Sequence, residues 1–311
     1  MIVKPQQTWY QSLICYRGTA LGESIPRMAL TTVVASIITT SEHYFGVGSL
    51  DLTPVPFSLT GVAIGIFLGF RGKTAYDRFW EGRTLWGGLI NNCRTLARQI
   101  LTVLKCPDDP DGQFRKLQTK CIYLLIAFAH ALRNHLRDSQ PWDDLAPLVD
   151  SKDLEALRSQ RNVPMAITQL LSEELATARE RGWLHELHVP ITDRIVCELT
   201  NIQGGCERIK NTPVPYAYGV LSHRVVAIFC LFLPLGIVDT VKSFTPFVTL
   251  LVSYAFFGLD SLGAEIEEPF GTDPHDLPLD AMCRTIEVNL RQLLGETNLP
   301  EMMVPVDYVL T

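Results

Sequence analysis

Within one apolar run, Gly61, Gly65 and Gly69 recur every four residues, and Val62, Ile66 and Phe70 keep the same interval one position on. On a helix the second set lies about 100° round from the first. A ridge of small residues lets backbones approach closely, and in membranes it marks helix–helix contact. The bulky stripe beside it has two readings. It faces lipid, or it faces an axis shared with copies of itself, where a narrow apolar constriction gates by failing to hold water. Periodicity alone leans toward the lipid-facing reading and does not decide.

Other side chains with chemical potential carry less. His185 and His188 stand three apart, yet no carboxylate or cysteine accompanies them at a metal-site spacing, so a loop is the expectation. His130 and His135 lie on an apolar helix as packing residues, and Asp193, Glu207 and Arg208 are expected to pair within the same helical region. Eight scattered cysteines include no CxxC pair and read as thiols in a reducing compartment. No Ser/His/Asp set, phosphate-cradling glycine loop or carboxylate pair is visible, so the chain does not read as an enzyme. From Asp260 onward eleven acids face two arginines, a net −9, which leaves +3 of the chain's −6 on residues 1–259. No dense basic stripe exists for nucleic acid.

The elements that must carry these residues are apolar. Hydrophobic residues make up 47% of the 311 and charged ones 19%, where about 25% charged is usual. Mean hydropathy is +0.15. Four stretches hold the excess: Met28–Ser41, Leu52–Phe70, Val225–Val238 (extendable back to Tyr216) and Ser243–Leu259. Arg17 and Arg27 precede the first, Arg71, Lys73, Arg78 and Arg83 follow the second, and Arg208, Lys210 and Arg224 precede the third. The two short connections hold only Glu42, His43, Asp51, Asp239 and one Lys242. Positive residues stay inside, so four spans with both termini cytosolic are expected. Residues 1–27 lack an apolar leader core and read as a cytosolic segment. Residues 28–70 hold the first two spans, 71–215 a cytosolic helical region with most of the basic residues, 216–259 the last two spans, and 260–311 an acidic cytosolic tail. No proline interrupts Phe57–Leu104, which predicts one long helix, while prolines in 107–110 and 141–147 mark loops. The fold class is all-α.

Three blocks then stand out together. Pro56–Gly87 (PFSLTGVAIGIFLGFRGKTAYDRFWEGRTLWG) resembles the second membrane segment of bacterial bestrophins. Gly204–Tyr218 (GGCERIKNTPVPYAY) resembles the entry to their third segment, and Glu265–Asp280 (EIEEPFGTDPHDLPLD) their acidic motif after the last span. The blocks keep the family's order and spacing, so the resemblance covers nearly the whole chain, from about Ile2 to about Pro300.

The resemblance implies a homopentameric ion channel of the bacterial inner membrane, with four helices per subunit in the lipid bilayer and a central pore. It implies a neck lined by Val62, Ile66 and Phe70, with Gly61, Gly65 and Gly69 packing against the neighbouring subunit. A cytosolic aperture falls at Leu187, with Leu184 as the alternative register. Monovalent ions are the expected cargo. Chloride is the ion best known for the family, but only Phe70 in this neck is aromatic and Glu42 and Asp51 flank the outer mouth, so sodium or other cations stay open and the balance leans slightly from chloride. In animal bestrophins acids after the PFG motif clasp calcium; Glu268, Asp273 and Asp276 are the matching candidates, interrupted by Pro274 and His275. A solvated acidic tail is the preferred reading, with no cofactor. The rival from another class is a non-conducting four-span scaffold or sensor that binds a partner through its cytosolic helices.

Overall fold

The computed structural model describes residues 1–3, 21–46 and 53–311. Cys15, Arg17 and Asp51, and most of the expected N-terminal segment, lie outside them. The described residues form helices α1 (Leu21–Phe45), α2 (Val55–Thr102), α3 (Gln113–Leu136), α4 (Trp142–Leu145), α5 (Ser151–Arg158), α6 (Val163–Glu180), α7 (Val189–Asn211), α8 (Tyr216–Val241), α9 (Thr245–Glu265) and α10 (Leu279–Leu293). Among the described residues there is no strand; Ile2–Val309 and Val306–Val309 form isolated bridges. α2 runs unbroken for 48 residues, as the lack of an interior proline predicts. The proline stretch 141–147 contains the one-turn helix α4 within the expected loop.

Packing divides the chain into two units whose boundaries fall at 79/80, 212/213 and 269/270. The composition changes read from the sequence fall at 70/71, 215/216 and 259/260. One unit contains α1, α2 as far as Phe79, α8 and α9. Segments within Val55–Thr102 and Tyr216–Glu265 are long and apolar enough to cross a membrane. α1 is rich in Thr and Ser, which suits lipid only if the hydroxyls are satisfied. Those of Thr32, Ser36, Thr39 and Thr40 donate to the carbonyls four residues back. Two more join α1 to α9: Ser24 Oγ lies 3.0 Å from Ser261 Oγ, and Thr31 Oγ1 lies 3.0 Å from Ser253 Oγ. Such interhelical hydroxyl pairs are directional where apolar surface is not. Ile64, Leu68, Val226, Phe229, Cys230, Leu233 and Phe257 form the core. At Gly236 on α8 a methyl would overlap the Phe57 ring, so the close approach of α2 requires glycine there.

The second unit contains the rest of α2, helices α3–α7 and α10. Its part of α2 buries Trp86, Leu89, Cys93, Leu96 and Ile100, a three–four spacing that turns one face of the helix inward. Gly205 of α7 meets Leu85 so closely that an added Cβ would stand 2.9 Å from its methyls. Helix starts are capped by sequence-local acceptors: the Asp109 carboxylate takes the N–H groups of Phe114 and Arg115, and Asn162 takes that of Met165. Arg133 binds Asp144 at 2.5 Å and Asp280 at 2.9 Å, and Arg137 binds Asp280 at 2.8 Å, which ties α3 to α4 and α10.

Candidate pore-lining helix

Along α2 two opposed stripes decide what the helix can do. Ile64, Leu68, Arg71 and Ala75 are all at most 4% exposed. Val62, Ile66 and Phe70 are 64%, 57% and 64% exposed. Each of these is two residues from Ile64 or Leu68, about 200° round the helix, so they point away from the core of their own unit. Gly65 and Gly69 meet nothing within 4 Å and leave smooth open surface beside the stripe. At Gly61 an added Cβ would sit 3.2 Å from the Phe229 ring of α8, so this glycine packs against a helix of its own chain.

Leu187 sits on the 3₁₀ turn Glu186–His188 and is 75% exposed, while Leu184 is 2% exposed. The two candidate positions thus differ in exposure. The turn is held locally: His185 Nδ1 accepts the Leu187 N–H at 3.2 Å, and Arg179 pairs with Glu186 at 3.2 Å. His185 and His188 rings lie 6.4 Å apart at an angle of 71°. His135 pairs with Glu207 at 3.0 Å, and Arg208 pairs with Glu81. Asp193 lies 3.9 Å from the Cys197 thiol, so the three groups expected to pair do so with different partners. Buried His130 stands between Asp144 at 3.9 Å and Glu287 at 3.8 Å; this histidine and Arg291 hold the Glu287 carboxyl below its usual range.

Among the described residues no three His, Cys, Asp or Glu side chains gather to hold an ion. Asp276 is buried and committed: its Oδ2 accepts the Asp273 N–H at 2.7 Å, and burial raises its pKa to about 6. Glu268 and Asp273 are exposed.

Sequence reasoning missed one cluster. Arg71, which served there only as a positive-inside marker, is buried, and its Nη1 donates to Asp260 Oδ1 at 2.5 Å. Ser222 Oγ donates to the same oxygen at 2.6 Å, and His223 Nδ1 binds Asp260 Oδ2. Glu267 stands 3.7 Å from Arg71 Nη2. The available signal was Asp260 itself, an acid at the end of an uncharged 17-residue segment.

With this geometry in place, comparison identifies the chain. The model of the Bacterial/Fungal Bestrophin protein family matches residues 1–292. The chain belongs to the bestrophin family. Among bestrophin relatives, a voltage-dependent anion channel-forming protein of Ralstonia nicotianae is 37% identical over 300 residues, 96% of each chain. One of the same description from Escherichia coli is 37% identical over 307 residues, 98% of each. Crystal structures of a bacterial bestrophin homologue from Klebsiella pneumoniae superpose at a TM-score of 0.83, with 36% identity over 88% of this chain and all of that one. A second structure of that homologue gives the same TM-score at 37% identity, covering 90% of this chain. The bestrophin assignment accounts for the all-helical fold and the membrane setting.

Proposed function

We propose that this bestrophin is one subunit of a passive channel for monovalent ions, built as a pentamer of the bacterial inner membrane with four spans per subunit and both termini cytosolic. The observation that carries the proposal is the outward stripe Val62, Ile66 and Phe70, placed opposite the buried face of an unbroken helix and beside open glycine surface at Gly65 and Gly69. Five such stripes around an axis make a narrow apolar neck, where an ion loses hydration that no side chain replaces. Leu187 forms a second, shorter constriction. A cavity of about 440 Å³ is lined by Glu42 and His43 of α1 and by Asp239 and Lys242 of the α8–α9 turn. That sharing supports the topology, since the C-terminal end of α1 and the α8–α9 junction lie at one end of the bundle.

The relatives are named for anions; the neck of this chain has one aromatic residue in three, and Glu42 stands by the outer connection. The cargo in this scheme is therefore a monovalent ion, with the relatives supporting anion passage and the acids supporting cation passage. Conduction in this scheme uses no cofactor and no covalent step, and chelation of calcium leaves flux unchanged. Purified protein in liposomes, tested separately with sodium and chloride gradients, checks the proposal: ion-selective flux supports it, and protein that assembles without any flux supports the scaffold reading instead.

A further inference from the structure

Between Gly61 and Phe70 every side chain of α2 is apolar or absent. In lipid no hydrophobic force distinguishes one such face from another, because the tails are as apolar as the core. Apolar packing there, such as Gly61 against Phe229, limits how close the helices come but supplies little that is directional. Yet the neck exists only if Val62, Ile66 and Phe70 all face one way. A directional contact must set that rotation, and the first one along the helix is at Arg71, the residue after Phe70.

Its guanidinium reaches across to two other helices at once. Nη1 donates to Asp260 of α9 at 2.5 Å and lies 3.3 Å from Ser222 Oγ of α8, while Ser222 donates to the same Asp260 oxygen. His223 of α8 holds the other carboxylate oxygen, so Asp260 is fixed from both sides. Next to this junction α2 and α9 approach closely: a Cβ added at Gly263 would lie 3.9 Å from the Gly72 Cα. Arg71 Nε is buried with no hydrogen-bond partner among the described residues. The pair is thus not optimised for stability, since a buried ion pair with an unmet donor costs desolvation that an apolar pair does not. What it supplies is direction.

We infer that Arg71, clamped by Asp260 and Ser222, is the positioning residue that fixes the rotation of the pore helix and thereby aims the neck stripe. The inference rests on the channel reading above, and the test separates the two. Arg71→Met with Asp260→Leu removes both charges, a change buried pairs commonly tolerate in stability. Ser222→Ala removes one clamp with little change in volume. Both variants are reconstituted beside the unaltered protein and compared for assembly by size exclusion, for flux, and for reversal potential under a salt gradient.

The expected result for the double variant is native assembly with flux raised about fivefold or more, the factor a roughly 1 kcal/mol change in a two-state balance gives. Its reversal potential moves toward zero, and Ser222→Ala shifts both readouts the same way by less. Assembled variants with unaltered flux and reversal potential overturn the inference. So does a double variant that fails to assemble while Ser222→Ala conducts like the unaltered protein, because the pair then serves folding alone. Absence of flux from the unaltered protein sinks the channel reading itself.

Discussion

The two proposed constrictions differ in what holds them. Val62, Ile66 and Phe70 ride on a 48-residue helix backed by Ile64, Leu68 and the clamped Arg71. Leu187 rides on a three-residue 3₁₀ turn held by one imidazole acceptor and one exposed ion pair. A helix face fixed by packing and a buried charge moves only with its whole unit. A single turn held by local hydrogen bonds can open at little cost, because exposed pairs contribute little. In the proposed channel the neck is then the durable barrier and the lower aperture the adjustable one.

The strongest way to break this contrast is to remove the bulk of the neck. Val62→Ala, Ile66→Ala and Phe70→Ala together should raise flux about tenfold or more, since about 1.4 kcal/mol off a barrier already gives that factor. Stopped-flow ion flux into liposomes measures it; flux at the original level would show that the stripe faces lipid.

Next in size is a substitution behind the helix. Gly236→Ala drives a methyl into Phe57 and should destabilise the subunit by about 1–3 kcal/mol, as overpacking does. Thermal unfolding in detergent reads the loss. Gly65→Leu sharpens the result, because nothing in the subunit lies within 4 Å of that position. The melting of the isolated subunit should hardly change, while assembly into the oligomer weakens if neighbours pack on the glycine surface. An intact oligomer would move the subunit contact elsewhere.

A smaller effect belongs to the aperture. Leu187→Ala should raise flux about two- to fivefold, less than the neck variant, because a shift of roughly 0.5–1 kcal/mol is all a yielding turn contributes. An effect larger than that of the neck triple would reverse the assignment of the main barrier.

Much of this was legible in advance, and for definite reasons. The long α2 followed from a proline-free run, and the stripe and ridge from a strict interval of four, which a helix converts directly into faces. Spacing places Gly61 on a face without saying what meets it; within the chain that is the Phe229 ring. The Arg71–Asp260 clamp was hidden because its members are 189 residues apart and each had an adequate local explanation. Leu187 was placed by counting from a distant block, and the exposure of Leu187 against the burial of Leu184 was not legible from that count. The burial of Asp276 and its bond from the Asp273 N–H were not legible either, since composition does not say which carboxyl the fold withdraws from solvent.

Asp276 gives the smallest expected effect and the one tied to pH. Its carboxyl titrates near 6 in the folded chain, above the ordinary value of 3.8, because burial disfavours the charge. Between about pH 4 and 6 the folded state therefore holds a proton that the unfolded chain has lost, and stability falls as pH rises through that window. Asp276→Asn keeps an acceptor for the Asp273 N–H and removes the charge, so its melting temperature should lose that slope and equal or exceed the unaltered protein's above pH 7. A slope that persists in the variant would assign it to another group.

The central claim is that Val62, Ile66 and Phe70 face a shared ion path. The most direct measurement is the reversal potential and flux of the purified protein in liposomes, with sodium and chloride gradients imposed separately, compared with the triple alanine variant. This account expects a non-zero, ion-selective potential for the unaltered protein, and higher flux with weaker selectivity for the variant. An assembled protein whose membrane stays impermeable to both ions, before and after the triple substitution, would contradict it.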